Sequence, residues 1–165
     1  MATYNLISTV TVGSGGASSI EFTSIPQTYT DLKILLSLRS NRADVDDILL
    51  VKPNNSSSSL TYRYIRGSGS STESSNVNRA YIAADTVTAN AFSSNEIYIP
   101  NYTGNTHKSF LIDSVTENNS ATAYMSLQSV LWSVSDAITS VVFVVVYGSL
   151  FLQYSSASLY GISKT

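Results

Sequence analysis

The chain reads as short runs of alternating apolar and polar residues, separated by clusters of Ser, Asn, Gly and Pro. Leu60–Ile65, Lys108–Val115 and Ala121–Trp132 alternate with period two, the pattern of strands buried on one face. Leu32–Leu38 and Val141–Tyr147 are more continuously apolar and read as central strands covered on both sides. Further extended runs are expected over Ala2–Val12, Ala17–Ile25, Ile48–Val51, Arg79–Ala84, Asn95–Pro100, Leu150–Tyr154 and Ser158–Ile162. Glycines at 13, 15 and 16, a Pro26–Asp31 corner, Pro53, Pro100 and Gly148 punctuate them, since Pro cannot continue a central ladder and Gly accepts tight turns. Ser18–Arg39, two extended runs flanking that corner, is expected to be the pair the later strands pack against. Arg39–Asp47 is predicted as a charged loop with room for one helical turn. The Gly/Ser-rich Arg66–Asn78 segment is predicted as a long mobile loop, and Thr116–Ser120 as a hairpin turn.

Roughly ten short strands with turn signals between them, and no amphipathic helical segment, predict an all-β protein. The expected architecture is a two-sheet antiparallel β-sandwich of jelly-roll connectivity, one domain over residues 1–165.

Composition narrows the function classes. Charged residues make up 12% of the 165-residue chain, about half the usual share, and there are 11 Tyr and no Cys. The absence of Cys removes disulfide, thiolate and Cys-based zinc chemistry. A net charge of -2 and a pI near 5.2 speak against a nucleic-acid binder, which carries a basic stripe. Val141–Tyr147 is too short to span a bilayer as a helix, and no membrane partner is expected. The opening Met-Ala-Thr-Tyr-Asn-Leu lacks the basic and apolar regions of a secretory signal, so synthesis in a cytoplasm without export is expected. The sequons at Asn54, Asn55, Asn101 and Asn118 are then chance matches in an Asn- and Ser-rich chain.

Candidate chemistry is sparse. His107, the single histidine, assembles a Ser-His-Asp set with Asp113 only on paper, and reads as an exposed loop residue. Asp44, Asp46 and Asp47 lie near Asn41, but Ile48 and Leu49 stand where a calcium loop needs a ligand and a glycine, so no metal is expected. A solvated acidic loop paired with Arg39 and Arg42 is the reading adopted. Lys108-Ser109 lacks the glycine of a phosphate cradle, and no cofactor is expected. Glu21, Glu73, Glu96 and Glu117 are scattered over separate segments, with nothing to single out a catalytic pair. Tyr62, Tyr64 and Arg66 share one face of a strand at period two and form the candidate binding face, for an interface or a glycan; buried core tyrosines are the competing reading.

Several stretches together resemble a family of small virion structural proteins of tailed bacteriophages from marine and freshwater hosts. They are Ser19–Leu32, Asn95–Tyr102, Ile112–Asn119, Leu131–Ser133 and the closing Gln153–Ile162. The resemblance implies a non-enzymatic particle component located in the virion and assembled in the host cytoplasm. Its implied partners are the major capsid protein or other virion proteins, with the chain itself a homo-oligomer, a trimer. A capsid decoration or cement protein is the first expectation. A tail-fibre or receptor-binding head recognising host polysaccharide is the alternative.

Overall fold

The computed structural model describes residues 2–116 and 124–163, which form strands connected by turns and no helix. The strands are β1 (Thr3–Thr11), β2 (Ile20–Phe22), β3 (Asp31–Leu38), β4 (Asp46–Pro53), β5 (Leu60–Gly67), β6 (Thr72–Ser75), β7 (Tyr81–Ala83), β8 (Ser93–Ile99), β9 (Lys108–Thr116), β10 (Tyr124–Trp132), β11 (Val141–Val145) and β12 (Ser156–Ser163). They build an eight-stranded sheet in the order β1-β12-β3-β8-β9-β10-β5-β6 and a four-stranded sheet in the order β2-β11-β4-β7. Every pairing within the two sheets is antiparallel.

One hydrophobic cluster draws on both sheets. Ile20, Phe22, Leu49, Val51, Val141 and Phe143 of the small sheet belong to it together with Leu32, Ile34, Ile97, Phe110, Ile112 and Leu159 of the large one. The rings of Phe22 and Phe143 meet edge to face at 6.3 Å. Burial of each such side chain contributes about 1.5–3 kcal/mol, which holds the two layers together. The alternation read from the sequence is clearest in β9, where Lys108, Phe110, Ile112, Ser114 and Thr116 are buried while Ser109, Leu111, Asp113 and Val115 face out. Val141–Val145 is central, as its apolar run predicts, lying between β2 and β4.

The Pro26–Asp31 corner does not fold β2 back on β3 as a pair. It carries the chain from the small sheet, where β2 pairs with β11, to the large one, where β3 lies between β12 and β8. The corner is pinned by the Tyr102 hydroxyl, which donates to the Pro26 carbonyl. Tyr29 is pinned against Gly161, where an added Cβ would stand 2.3 Å from its ring.

Three other expectations are corrected. The predicted Arg66–Asn78 loop contains β6, paired with β5 from Tyr64↔Ser75 to Gly67↔Thr72. Its residues are all exposed, so no apolar period announced it. Leu150–Tyr154 is not a strand: Phe151 makes isolated bridges to Ala17 and Ser40, and Tyr154 turns to a φ of 73°. The Arg39–Asp47 segment has no helical turn, and β4 already begins at Asp46. Gly148 is required by space: a Cβ there would stand 2.8 Å from Asp47 Oδ2 and 2.9 Å from Asn41 Oδ1. The hairpin expected through Ser120, and the start of the strand expected from Ala121, lie outside the described residues.

Candidate functional site

Strand β5 alternates as expected, and its Tyr62, Tyr64 and Arg66 share the inner face, opposite the exposed Thr61, Arg63 and Ile65. Tyr64 is buried, and its hydroxyl donates to Glu73 Oε1 on β6. Arg66 Nη2 lies 2.9 Å from the second Glu73 oxygen, while its Nη1 donates to the Tyr81 hydroxyl at 3.1 Å. The Arg66 guanidinium also rests over the rings of Tyr81 and Tyr124, 5.1 and 4.9 Å from their centroids. Burial, reinforced by the carboxylate, raises the Tyr64 phenol above its ordinary range. The same hydrogen bond, with help from Arg66, lowers Glu73. Tyr62 is half-buried against the core. The three sequence-selected residues are therefore together, but as internal packing and a saturated ion pair rather than an open aromatic platform.

Beside this cluster a cleft of about 230 Å³ is lined by Arg42, Asp46, Ile48, Arg66, Arg79, Tyr81 and Tyr147. Its charges are largely consumed internally. Arg42 sits 2.7 Å from Asp44 and 3.5 Å from Asp46, and stacks on Tyr147 at 4.5 Å. Burial raises the Asp46 carboxyl, assisted by the neighbouring Asp44.

Asp47 departs from the solvated acidic loop expected of it. It is fully buried, and its carboxylate accepts from the backbone N–H groups of Ile48 at 2.7 Å, Tyr147 at 3.1 Å and Gly148 at 2.9 Å. Asn41 does the same for Ser149 and Leu150, at 2.9 and 3.0 Å. Arg39 pairs with Asp85, at 3.4 Å, and not with this group. Among the described residues no set of three His, Cys, Asp or Glu is placed to hold a metal ion. His107 is exposed ahead of β9. It stands six residues from the outward-facing Asp113 on the same extended run, a separation of about 20 Å that rules out a triad. Glu21 lies in the small sheet, Glu73 faces Arg66, and Glu96 is held by Lys33 at 2.8 Å. Glu117 and the Asn118 sequon are outside the described residues.

Lys108 is buried as well, its ammonium donating to the carbonyls of Gly104 (2.6 Å), Thr106 (2.5 Å) and Ser135 (3.3 Å). Desolvation lowers its pKa. It serves as an internal clamp on the Asn101–Thr106 loop rather than as a phosphate ligand.

An apolar surface stands on the outer face of the large sheet over β9, β10 and β5. Leu111, Val115, Met125, Leu127, Leu131 and Ile65 all project there, with Ile65 60% and Met125 59% exposed. Register places them in contact rows: Leu127 stands between Asp113 and Ile65, and Ser129 between Leu111 and Arg63. A hollow of about 470 Å³ lies over Ile65, Gly67, Met125 and Leu127 beneath the β5–β6 hairpin. Sequence reasoning put its attention on the inner residues of β5 and missed this face. The signal was present in the alternation itself, where residues on the polar phase of β9 and β10 are themselves aliphatic.

No family model matches the chain, and neither the curated proteins nor the solved structures contain a match to it.

Proposed function

We propose that this chain is a structural component of a tailed-bacteriophage particle, a capsid decoration or cement protein that clamps neighbouring subunits of the shell. The observation that carries the reading is the wide aliphatic outer face of the eight-stranded sheet, a surface built for a macromolecular partner rather than a small substrate. The resemblance of Ser19–Leu32 and the other quoted stretches to phage virion proteins supplies the setting. The internal pairing of Tyr64, Arg66, Glu73, Asp47 and Lys108 supports a role in packing rather than catalysis.

The same proposal includes a jelly roll as the core. Two hairpins, β5–β6 and β9–β10, extend the large sheet beyond β8. With those set aside, the first four strands pair with the last four in reverse order: β1 with β12, β2 with β11, β3 with β8 and β4 with β7. A long antiparallel ribbon wound into two sheets has this pairing, which is the support for the jelly-roll reading.

Quantitative mass spectrometry of purified virions tests the function. A copy number commensurate with the major capsid protein is expected, together with shells that open at lower temperature when the gene is deleted. A copy number matching tail proteins would overturn the decoration role and move the chain to a fibre. The glycan reading has less to stand on, because Tyr62, Tyr64 and Arg66 face inward and the exposed face is aliphatic, whereas sugars stack on aromatic rings.

A further inference from the structure

The outer face of β9, β10 and β5 carries, amid its aliphatic side chains, one basic and one acidic residue. Among the described residues Arg63 Nη1 donates only to the carbonyl of its neighbour Tyr62, at 2.6 Å. Asp113 stands directly across from Glu96, a like charge already held by Lys33. Among the described residues neither Arg63 nor Asp113 has an oppositely charged partner within salt-bridge distance. Charges set in an apolar surface without partners weaken it as a site for lipid or for an uncharged apolar ligand, and they mark register in a protein interface.

Their placement is self-complementary. Arg63 lies opposite Ser129, which lies opposite Leu111; Asp113 lies opposite Leu127, which lies opposite Ile65. With strands about 4.8 Å apart and about 6.8 Å between successive outward residues, Asp113 and Arg63 are roughly 12 Å apart on opposite sides of the diagonal from Leu111 to Ile65. We propose that this face is a two-fold interface between two copies of the chain, its axis running along that diagonal in the plane of the sheet. Such an axis lays Arg63 of each copy over Asp113 of the other, brings Leu111 and Ile65 against their own images, and sets Leu127 beside the axis, over the Ser129–Arg63 side of the second copy. On the same spacings Leu131 falls over Glu96 of the second copy, whose carboxylate is held by Lys33. An isologous contact of this kind requires the same residues on both sides to be mutually complementary, which one unpaired cation and one unpaired anion flanking an apolar line satisfy.

The size is adequate. Four strands of at least seven residues, β8, β9, β10 and β5, cover roughly 19 Å by 24 Å, and the four residues of β6 add a strip of about 5 Å by 14 Å. That is about 520 Å² in projection, which side-chain relief brings toward the ~800 Å² per partner of a standard interface. The strands of the two copies cross steeply in this arrangement, nearer the orthogonal than the aligned mode of sheet packing.

The face is the same one that the virion reading uses, a second copy covering it in the free chain and the shell in the particle; the mass of the free chain and the virion copy number test the two separately. The test is the mass of the purified full chain in solution, by light scattering and sedimentation over a concentration series. Twice the 17.8 kDa chain mass is expected. Arg63→Asp alone and Asp113→Arg alone should each weaken the dimer about 100-fold, by juxtaposing like charges twice across the axis. The double variant carrying both should recover to within a few-fold of the original chain. Leu127→Glu, on the exposed face, should give a monomer whose thermal unfolding, followed by Trp132 fluorescence, is unchanged. A monomer at all concentrations, the trimer implied by the family resemblance, or a double variant no better than the singles would each overturn the proposal.

Discussion

Replacing Asp47 by alanine removes one buried carboxylate and leaves three backbone N–H groups, those of Ile48, Tyr147 and Gly148, without their acceptor. These bonds stand in for a ladder where β11 has ended and the chain turns back toward β12. Hydrogen bonds to a charged acceptor contribute about 1.5–3 kcal/mol each. The bond to the adjacent Ile48 is local and partly survives in the unfolded chain, so the two long-range ones dominate. The expected destabilisation is about 3–5 kcal/mol. Asp47→Asn keeps the shape and one acceptor oxygen and should cost roughly half as much. Urea unfolding read from Trp132, the single tryptophan and a buried one, gives both values directly. The transition midpoint should fall while its slope stays constant, because the surface exposed on unfolding is the same. A loss below about 1 kcal/mol for Asp47→Ala would refute the reasoning, since it would mean that water reaches these amides as easily as the carboxylate does.

Three further outcomes are expected. The Tyr98 hydroxyl donates to Asp31 at 2.8 Å, and that bond pushes its pKa from 10.0 up to about 12. The stabilisation is therefore complete below pH 10 and disappears as the pH rises toward 12; melting temperature should fall across that window more steeply in the original chain than in Tyr98→Phe, and parallel curves would refute it. Lys108→Met keeps the aliphatic stem but orphans the carbonyls of Gly104, Thr106 and Ser135, so a loss of about 2–4 kcal/mol in urea unfolding is expected, with amide exchange accelerating across residues 101–106. Asn54 holds a φ of 48°, accepts from the amides of Thr139 and Ser140 and donates to the Ala137 carbonyl; Asn54→Ala should cost about 2–3 kcal/mol, measured the same way, because it combines lost hydrogen bonds with left-handed backbone strain.

The parts of the fold legible in the sequence were those where burial imposes a period. β9 and β10 follow their alternation residue by residue, and β11 sits at the centre of its sheet as an unbroken apolar run should. β6 was hidden because Thr72–Ser75 is exposed throughout and carries no apolar residue to bury, its ties being the backbone pairing with β5 and the contacts of Glu73. Leu150–Tyr154 deceived for the opposite reason: Phe151 is wholly buried, but in a bend where Asn41 and Arg39 supply side-chain and backbone partners in place of a ladder. Asp47 looked like one of three interchangeable surface acids, and only the return of residues 147 and 148 to its side explains its burial. Pairing between strands far apart in the chain carries no local signature. For the same reason the aliphatic residues of the outer face could be counted from the sequence but not assembled into a surface.

The inner face of the added half-sheet changes character along its length. At one end Phe110, Val130 and Trp132 join the core. At the other, Gln128 accepts from the Arg79 amide at 2.6 Å and donates to Asn78 at 2.9 Å, while Asn95 reaches the Tyr81 carbonyl and Ser114, each at 2.8 Å. This polar seam cannot act as a nucleus for folding, because hydrogen bonds between side chains gain little until water has been expelled around them. The β5–β10 pairing it covers also joins residues as distant as Leu60 and Trp132, a costly loop to close early. The hairpins can zip locally, but their union should follow as a later step of refolding. The face they present together therefore exists only in the completed molecule, which keeps its aliphatic side chains apart while the chain is still emerging and concentrated neighbours could capture them.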